Sequence, residues 1–276
     1  MKKDLTVALL ICLVTVIFWR NAFFNFFAQD DFIFIKHFSG NDLVVDLENV
    51  FGEPEVTHWR PVHNLYFLIS GNLFGKNYYL YHVLVILLHA ATSFLIYKIV
   101  AKLWRNFYVA SLSSLIYAIH PAHFVAMYWV AGSAINIGFF FLLLALYFYL
   151  TGRKVLSAIL YPVSLLASEA MTAGLALFVF ESARSKRLKG EKNYLVMLAF
   201  LTGAFLLVKL INTAAATFDL YKLKVSLETF FVIRYYILRT LGFAESSGDL
   251  ISSILLVGLI IGVFLRSLNY LIKDRR

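Results

Sequence analysis

Two adjacent carboxylates, Asp30 and Asp31, sit in the aromatic stretch Phe23-Phe24-Asn25-Phe26-Phe27-Ala28-Gln29-Asp30-Asp31-Phe32-Ile33-Phe34. Desolvation and mutual repulsion in such a setting raise at least one pKa. A carboxylate tuned this way can act as a general base toward a hydroxyl. The plainer alternative is a solvated acidic pair marking a helix start. Further on, Thr57-His58-Trp59-Arg60-Pro61 places a His and an Arg beside a Trp. That combination can grip a phosphate, or it can anchor a helix at a membrane interface. His82 and His89 are seven apart and so share a helix face. Their spacing is not that of metal ligands, and packed, hydrogen-bonded core histidines are the expectation. In His120-Pro121-Ala122-His123 the proline should end a helix and expose His120. Ser168-Glu169 lies at a turn between short apolar segments, where a glutamate should face a cavity or the surface rather than lipid.

The elements that must position these residues are membrane helices. Of 276 residues, 61% are hydrophobic and 15% charged, and the mean hydropathy is +0.77. A soluble domain is about a quarter charged, so the solvent for most of this chain must be lipid. Spans are expected at about Leu5–Trp19, Tyr79–Val100, Phe107–Ile119, Ala134–Leu150, Val155–Ala167, Ala170–Phe180, Tyr194–Ile211 and Leu250–Leu265. Leu227–Leu241, which carries Arg234 and Arg239, reads as an interfacial or re-entrant helix, with a ninth span as the competing reading. The N-terminal apolar run after Lys2 and Lys3 lacks a small-x-small cleavage pattern and reads as a signal anchor.

The expected architecture is thus all-α: a polytopic transmembrane bundle of about eight spans and a single membrane domain over residues 1–276. A long first extracytoplasmic loop, residues 20–77, would hold interfacial helices. With both termini inside, 16 of the 25 Lys and Arg residues fall in short inner clusters, as the positive-inside rule asks. Twelve of the 16 acidic residues, and every candidate above, then fall outside. The net charge of +9 comes from clusters between apolar segments, which argues against nucleic acid as a partner. A single cysteine, Cys12, excludes disulfides within the chain and thiolate metal clusters.

The order of these motifs resembles the membrane core of the GT-C superfamily of glycosyltransferases. It is closest to protein O-mannosyltransferase-like members, including those with tetratricopeptide repeats. The segments that carry the resemblance are QDDFIFI (29–35), THWRPVHNLYF (57–67), LFGKNYYLYHVLVILLHA (73–90), IYAIHPAHFVAMYWVAGSAINIGFFFLLLALYFYL (116–150) and LLASEA (165–170). They cover roughly residues 22–182. The chain departs from the repeat-bearing relatives, which often show Lys-Glu where Ser168-Glu169 stands and which carry a soluble domain not seen here.

The resemblance implies a donor sugar on a polyprenyl phosphate and a protein or glycan acceptor. It also implies an inverting transfer on the extracytoplasmic side, with an Asp of the first outer loop as catalytic residue. That role maps onto Asp30, with Asp31 in support. Arg60, His58 and His120 would stabilise the leaving phosphate, and His123, Glu169 and Arg234 are further site candidates. No structural metal or cofactor is required, although a divalent ion at the Asp pair is compatible with the chemistry. Membrane lipids are the remaining expected partners, in a prokaryotic plasma membrane or a eukaryotic ER membrane. The rival expectation is a truncated, non-catalytic GT-C-like protein that binds lipid-linked glycans or assists membrane assembly. A transporter is disfavoured, because mid-span charges and paired broken helices are not evident.

Overall fold

In the computed structural model, residues 2–38, 43–51, 59–213, 226 and 229–240 are described, with single helical positions at 254, 258, 262 and 266. Every described element is a helix. Two compact units are present, Met1–Val179 with Lys192–Ala215, and Phe180–Glu191 with Ala216–Arg276.

In the first unit, α1 (Lys2–Trp19) continues as a 3₁₀ turn to Phe24. Three short helices follow: α2 (Asp31–Phe38), α3 (Leu43–Phe51) and α4 (Pro61–Phe74). Then come α5 (Tyr78–Trp104), α6 (Phe107–Ile119), α7 (Phe124–Tyr128), α8 (Ser133–Leu150) and α9 (Lys154–Ala167). Local chemistry fixes several of these boundaries. The Asn106 side chain accepts from the amides of Tyr108 and Val109 and so caps α6. Pro121 closes α6, and His120 Nδ1 accepts from the Ala122 amide just beyond it. Gly75, at φ +54°, turns the chain out of α4.

Four described helical segments are long and apolar enough to cross a membrane: Lys3–Phe24, Tyr78–Trp104, Val130–Leu150 and Leu188–Leu210. A fifth is available if α6 and Pro121–Tyr128, bent by 43°, act as one broken span. The expected eight spans exceed this number. Val155–Ala167 corresponds to α9, which has 14 residues. Ala170–Phe180 is not one helix: a 3₁₀ segment, Glu169–Gly174, leads into α10 (Leu175–Arg184). Ser168, with an extended backbone (φ −159°, ψ 132°), ends α9 at Ala167 and forms the turn expected at Ser168-Glu169. Leu250–Leu265 lies outside the described residues except at 254, 258 and 262.

Antiparallel packing sets the ends of the bundle. At one end Asp4 accepts from Tyr97 (3.0 Å) and pairs with Lys98 (2.9 Å), tying α1 to α5. At the other, Phe23 meets Tyr79 with ring centroids 5.3 Å apart. The main core joins α8, α9, α10 and α11 (Leu188–Thr213) through Leu142, Ala145, Tyr161, Leu165, Phe178 and Leu198. Ser157 Oγ donates to Ala145 O, and Tyr161 and Thr202 share a hydrogen bond of 2.8 Å. The outward faces remain apolar, as on α1, where Leu5, Leu9, Leu13 and Ile17 are exposed. Bundles in lipid have no reason to bury such side chains.

At Gly138, α8 lies close against the end of α9. A Cβ there would meet Met171 Cγ at 2.8 Å, Ser164 O at 3.2 Å and Ser168 Cβ at 3.3 Å. A backbone oxygen cannot step aside, so Gly138→Ala should cost about 1–3 kcal/mol through overpacking. At Gly174 the three atoms nearest to such a Cβ, at 2.4, 2.7 and 3.1 Å, all belong to the Leu142 side chain rather than to backbone. Thermal unfolding in detergent should rank Gly138→Ala well below Gly174→Ala, and equal midpoints would refute this reading of the crossing.

In the second unit, Arg184 pairs with Glu181 through Nε–Oε2 at 2.5 Å. Thr229–Thr240, within the expected interfacial segment 227–241, forms α12 and carries Arg234 and Arg239.

Candidate functional site

Asp31 opens α2 but is not solvated; it is 1% exposed. Gln29, in the left-handed region at φ +50°, folds the chain back so that Asp31 Oδ2 accepts from the Ala28 amide at 2.9 Å. Its Oδ1 accepts from the Ala131 amide at 2.6 Å, a hundred residues away. Trp129 Nε1 donates to Ala28 O (3.2 Å), closing the same junction from the other side. Burial raises the Asp31 pKa against the opposing pull of the Ala28 and Ala131 amides. Asp31 thus joins α2 to the turn that starts α8. Asp30 is partly exposed, and no side-chain hydrogen bond engages it among the described residues. Of the two carboxylates, Asp30 is the one left open.

Arg60 precedes Pro61 at the start of α4. Its guanidinium meets Glu169 two-pronged, Nε to Oε2 at 2.9 Å and Nη2 to Oε1 at 2.7 Å. Lys209, near the end of α11, completes a triad at 3.0 Å from Glu169 Oε2. Burial alone would raise the Glu169 pKa, but Arg60 and then Lys209 hold it well below the usual carboxylate range. Trp59 stacks against Phe205 of α11 at 6.1 Å, one turn before Lys209. Glu169 thus faces a second cation, supplied from 40 residues further along the chain. A lysine in the apolar run Leu206-Leu207-Val208-Lys209-Leu210 was the signal that could have found it.

Because Glu169 titrates below its ordinary value of 4.5, its contribution to stability is present above that pH and is lost as pH falls through its depressed pKa. Glu169→Gln should remove that acid-sensitive contribution and leave two cations facing each other. The triad is partly exposed, so the expected loss is about 2 kcal/mol rather than the 3–5 of a fully buried pair. Unfolding midpoints at pH 7 and pH 4 test this. The variant should differ from the native chain less at the lower pH; an unchanged gap would dismiss the triad as a stabilising element.

Between these groups lie two residues the motif reading passed over. His63, three residues after Arg60 on α4, is 1% exposed, and its ring packs 5.0 Å from Phe34. Burial first, and the nearby Arg60 charge second, push its pKa down to about 3, so it is neutral. Neither ring nitrogen has a hydrogen-bond partner among the described residues; the Ala131 backbone is close but outside bonding geometry. Tyr66, one turn on, has an equally buried and unpartnered hydroxyl, and burial pushes its pKa up. An unsatisfied buried polar group costs about 1–3 kcal/mol, an expense that marks a place worth examining for function. The spacing Arg60, His63, Tyr66 along one helix face was the available signal.

The other candidates separate from this cluster. His82 lies between the carbonyls of Met127 (Nδ1, 3.2 Å) and Asn25 (Nε2, 3.0 Å), and His89 Nε2 lies 3.1 Å from Ala118 O. Both are packed core histidines that brace the broken segment after α6. His123 packs on Tyr117 (4.4 Å) and His89 (4.7 Å), and His120 lies 6.1 Å from His123. No described contact links His120 or His123 to Arg60. His58 lies outside the described residues. Arg234 belongs to the second unit, on α12. No group of three or more His, Cys, Asp or Glu with metal-binding geometry occurs among the described residues.

The arrangement offers an open carboxylate, a fixed carboxylate, two cations on one glutamate, and a neutral imidazole and phenol with unused polar atoms. Comparisons with protein-family models, curated proteins and solved structures find no match to the chain.

Proposed function

We propose that the chain is a GT-C-type membrane glycosyltransferase that moves a sugar from a polyprenyl-phosphate donor to a protein or glycan hydroxyl. The observation that supports this reading is that the five segments resembling that superfamily pack on one another. Asp31 (29–35) accepts from Ala131 (116–150), and Phe34 stacks on Phe67 (57–67) at 4.5 Å. Arg60 (57–67) grips Glu169 (165–170), and Tyr81 (73–90) lies 6.3 Å from Phe67. In this proposal Asp30 takes the proton of the acceptor hydroxyl as its oxygen attacks the anomeric carbon with inversion. The bond from that carbon to the phosphate oxygen breaks, and the polyprenyl phosphate leaves with the electron pair. Arg60 offsets its charge. A divalent ion at the Asp pair is not required.

The proposal carries eight spans, both termini inside and residues 20–77 outside. In a Cys12→Ser background, a cysteine placed at Ser185 should resist membrane-impermeant thiol reagents in intact cells and react after permeabilisation. Labelling without permeabilisation would reverse the topology.

One observation favours the rival, a non-catalytic binder of lipid-linked glycans. Two of the Arg60 nitrogens are already committed to Glu169. Incubating the purified protein with radiolabelled polyprenyl-phosphate sugars and a panel of acceptors separates the two. Transferred label supports the enzyme, retained donor without transfer supports the binder, and neither result overturns both.

A further inference from the structure

A groove of about 420 Å³ lies beside α2, lined by Phe26, Phe27, Phe32, Ile35, Lys36 and Lys76. Its three phenylalanines pack edge to face or tilted, with centroids 5.5 to 6.4 Å apart. Phe26 and Phe32 nonetheless remain 57% and 51% exposed. Lys36 and Lys76 are exposed at the same groove, and neither has a carboxylate partner among the described residues. An aromatic wall with two uncompensated cations complements a ligand that is anionic at one end and apolar at the other.

Its position specifies the source of that ligand. Phe26 follows the end of the Lys3–Phe24 segment by two residues, and Lys76 precedes the start of Tyr78–Trp104 by two. These two segment ends lie side by side, with Phe23 on Tyr79 and Phe26 on Tyr78 at 5.3 and 5.2 Å. The groove therefore sits at the ends of two candidate spans, the depth at which acyl chains give way to headgroups. Aromatic rings and lysines at that depth meet chains and phosphates respectively.

We infer that this groove binds a bilayer lipid with an anionic phosphate headgroup, its phosphate held by Lys36 and Lys76 and its upper chain on Phe26, Phe27 and Phe32. The site does not depend on the sugar-transfer reading, because lipid retention can be measured with no sugar present.

Native mass spectrometry of the detergent-purified full chain, titrated with dioleoyl phosphatidylglycerol or dioleoyl phosphatidylcholine, tests it. The native chain should retain the anionic lipid preferentially. A membrane-surface lysine contributes about fivefold in affinity for anionic lipid, so Lys36→Ala with Lys76→Ala should weaken phosphatidylglycerol roughly 30-fold and leave phosphatidylcholine unchanged. Lys36→Arg with Lys76→Arg should keep the preference, and Phe26→Ala should weaken retention without removing it. Equal phosphatidylglycerol affinity in the native and double-alanine proteins would overturn the inference. So would displacement by millimolar inorganic phosphate together with a silent Phe26→Ala, which would reveal an anion site without a lipid. Loss of both lipids in the double-alanine protein, with the arginine pair behaving as native, would show that the lysines act without headgroup selectivity and would also overturn it.

Discussion

On the proposed sugar-transfer reading, Asp30→Asn should lower transfer by about 10²–10⁴-fold, the usual worth of general base catalysis, while the fold and donor retention stay near native. Asparagine keeps the size of the side chain and can still hydrogen-bond, but it cannot take the acceptor proton. The structure makes this a clean substitution, because Asp30 is partly exposed and no described side-chain hydrogen bond is lost with its charge. Its backbone carbonyl, which accepts from Ile33 and Phe34 at the start of α2, is untouched by the change. The measurement is initial transfer rate with a saturating polyprenyl-phosphate sugar, alongside the thermal midpoint of the same preparation. Full transfer by a folded Asp30→Asn protein would remove Asp30 as the base. A loss confined to KM would make it an acceptor-binding residue instead.

The sequence was most informative where a local signal ends a helix. The expected Phe107–Ile119 matches α6 to the residue, because in the structure Asn106 caps its start and His120-Pro121 ends it. The expected Tyr194–Ile211 falls inside the longer helix Leu188–Thr213. Hydropathy reports where lipid begins, whereas backbone hydrogen bonding continues through Leu188-Lys189-Gly190-Glu191 into polar surroundings. The turn at Ser168-Glu169 was legible, but the 3₁₀ stretch Glu169–Gly174, which takes up the start of the expected Ala170–Phe180, leaves no mark in the apolar pattern of LLASEAMTAGLALFVF. At the site, the residue types were legible but their pairings were not. Glu169 was expected at a cavity or surface, yet its partners stand 109 residues before it and 40 after it in the chain. His63 and Tyr66 drew no notice because a histidine and a tyrosine in an aromatic-rich segment look like interface residues until their burial is known.

Asp31→Asn should cost stability rather than chemistry, by about 2–4 kcal/mol. Each Asp31 oxygen accepts one backbone N–H, from Ala28 and from Ala131, at a position 1% exposed. An asparagine has one acceptor oxygen, so its NH₂ must face one of those two amides, donor against donor. Hydrogen bonds to charged acceptors contribute about 1.5–3 kcal/mol each, and a stranded buried donor adds its own desolvation cost. The contact at risk joins α2 to the turn before α8, so loosening it should also release Trp129 from Ala28 and expose its indole. A midpoint lower by several degrees, with a red-shifted tryptophan emission below the transition, is the expected signature. On the proposed reading, transfer should fall modestly, and the fall should be recovered at lower temperature, where the junction is again populated. If Asp31→Asn instead keeps the native midpoint and abolishes transfer at every temperature, the two carboxylates exchange roles. Asp31 would then be the base, drawn from its amides when substrate binds, and Asp30 its electrostatic neighbour.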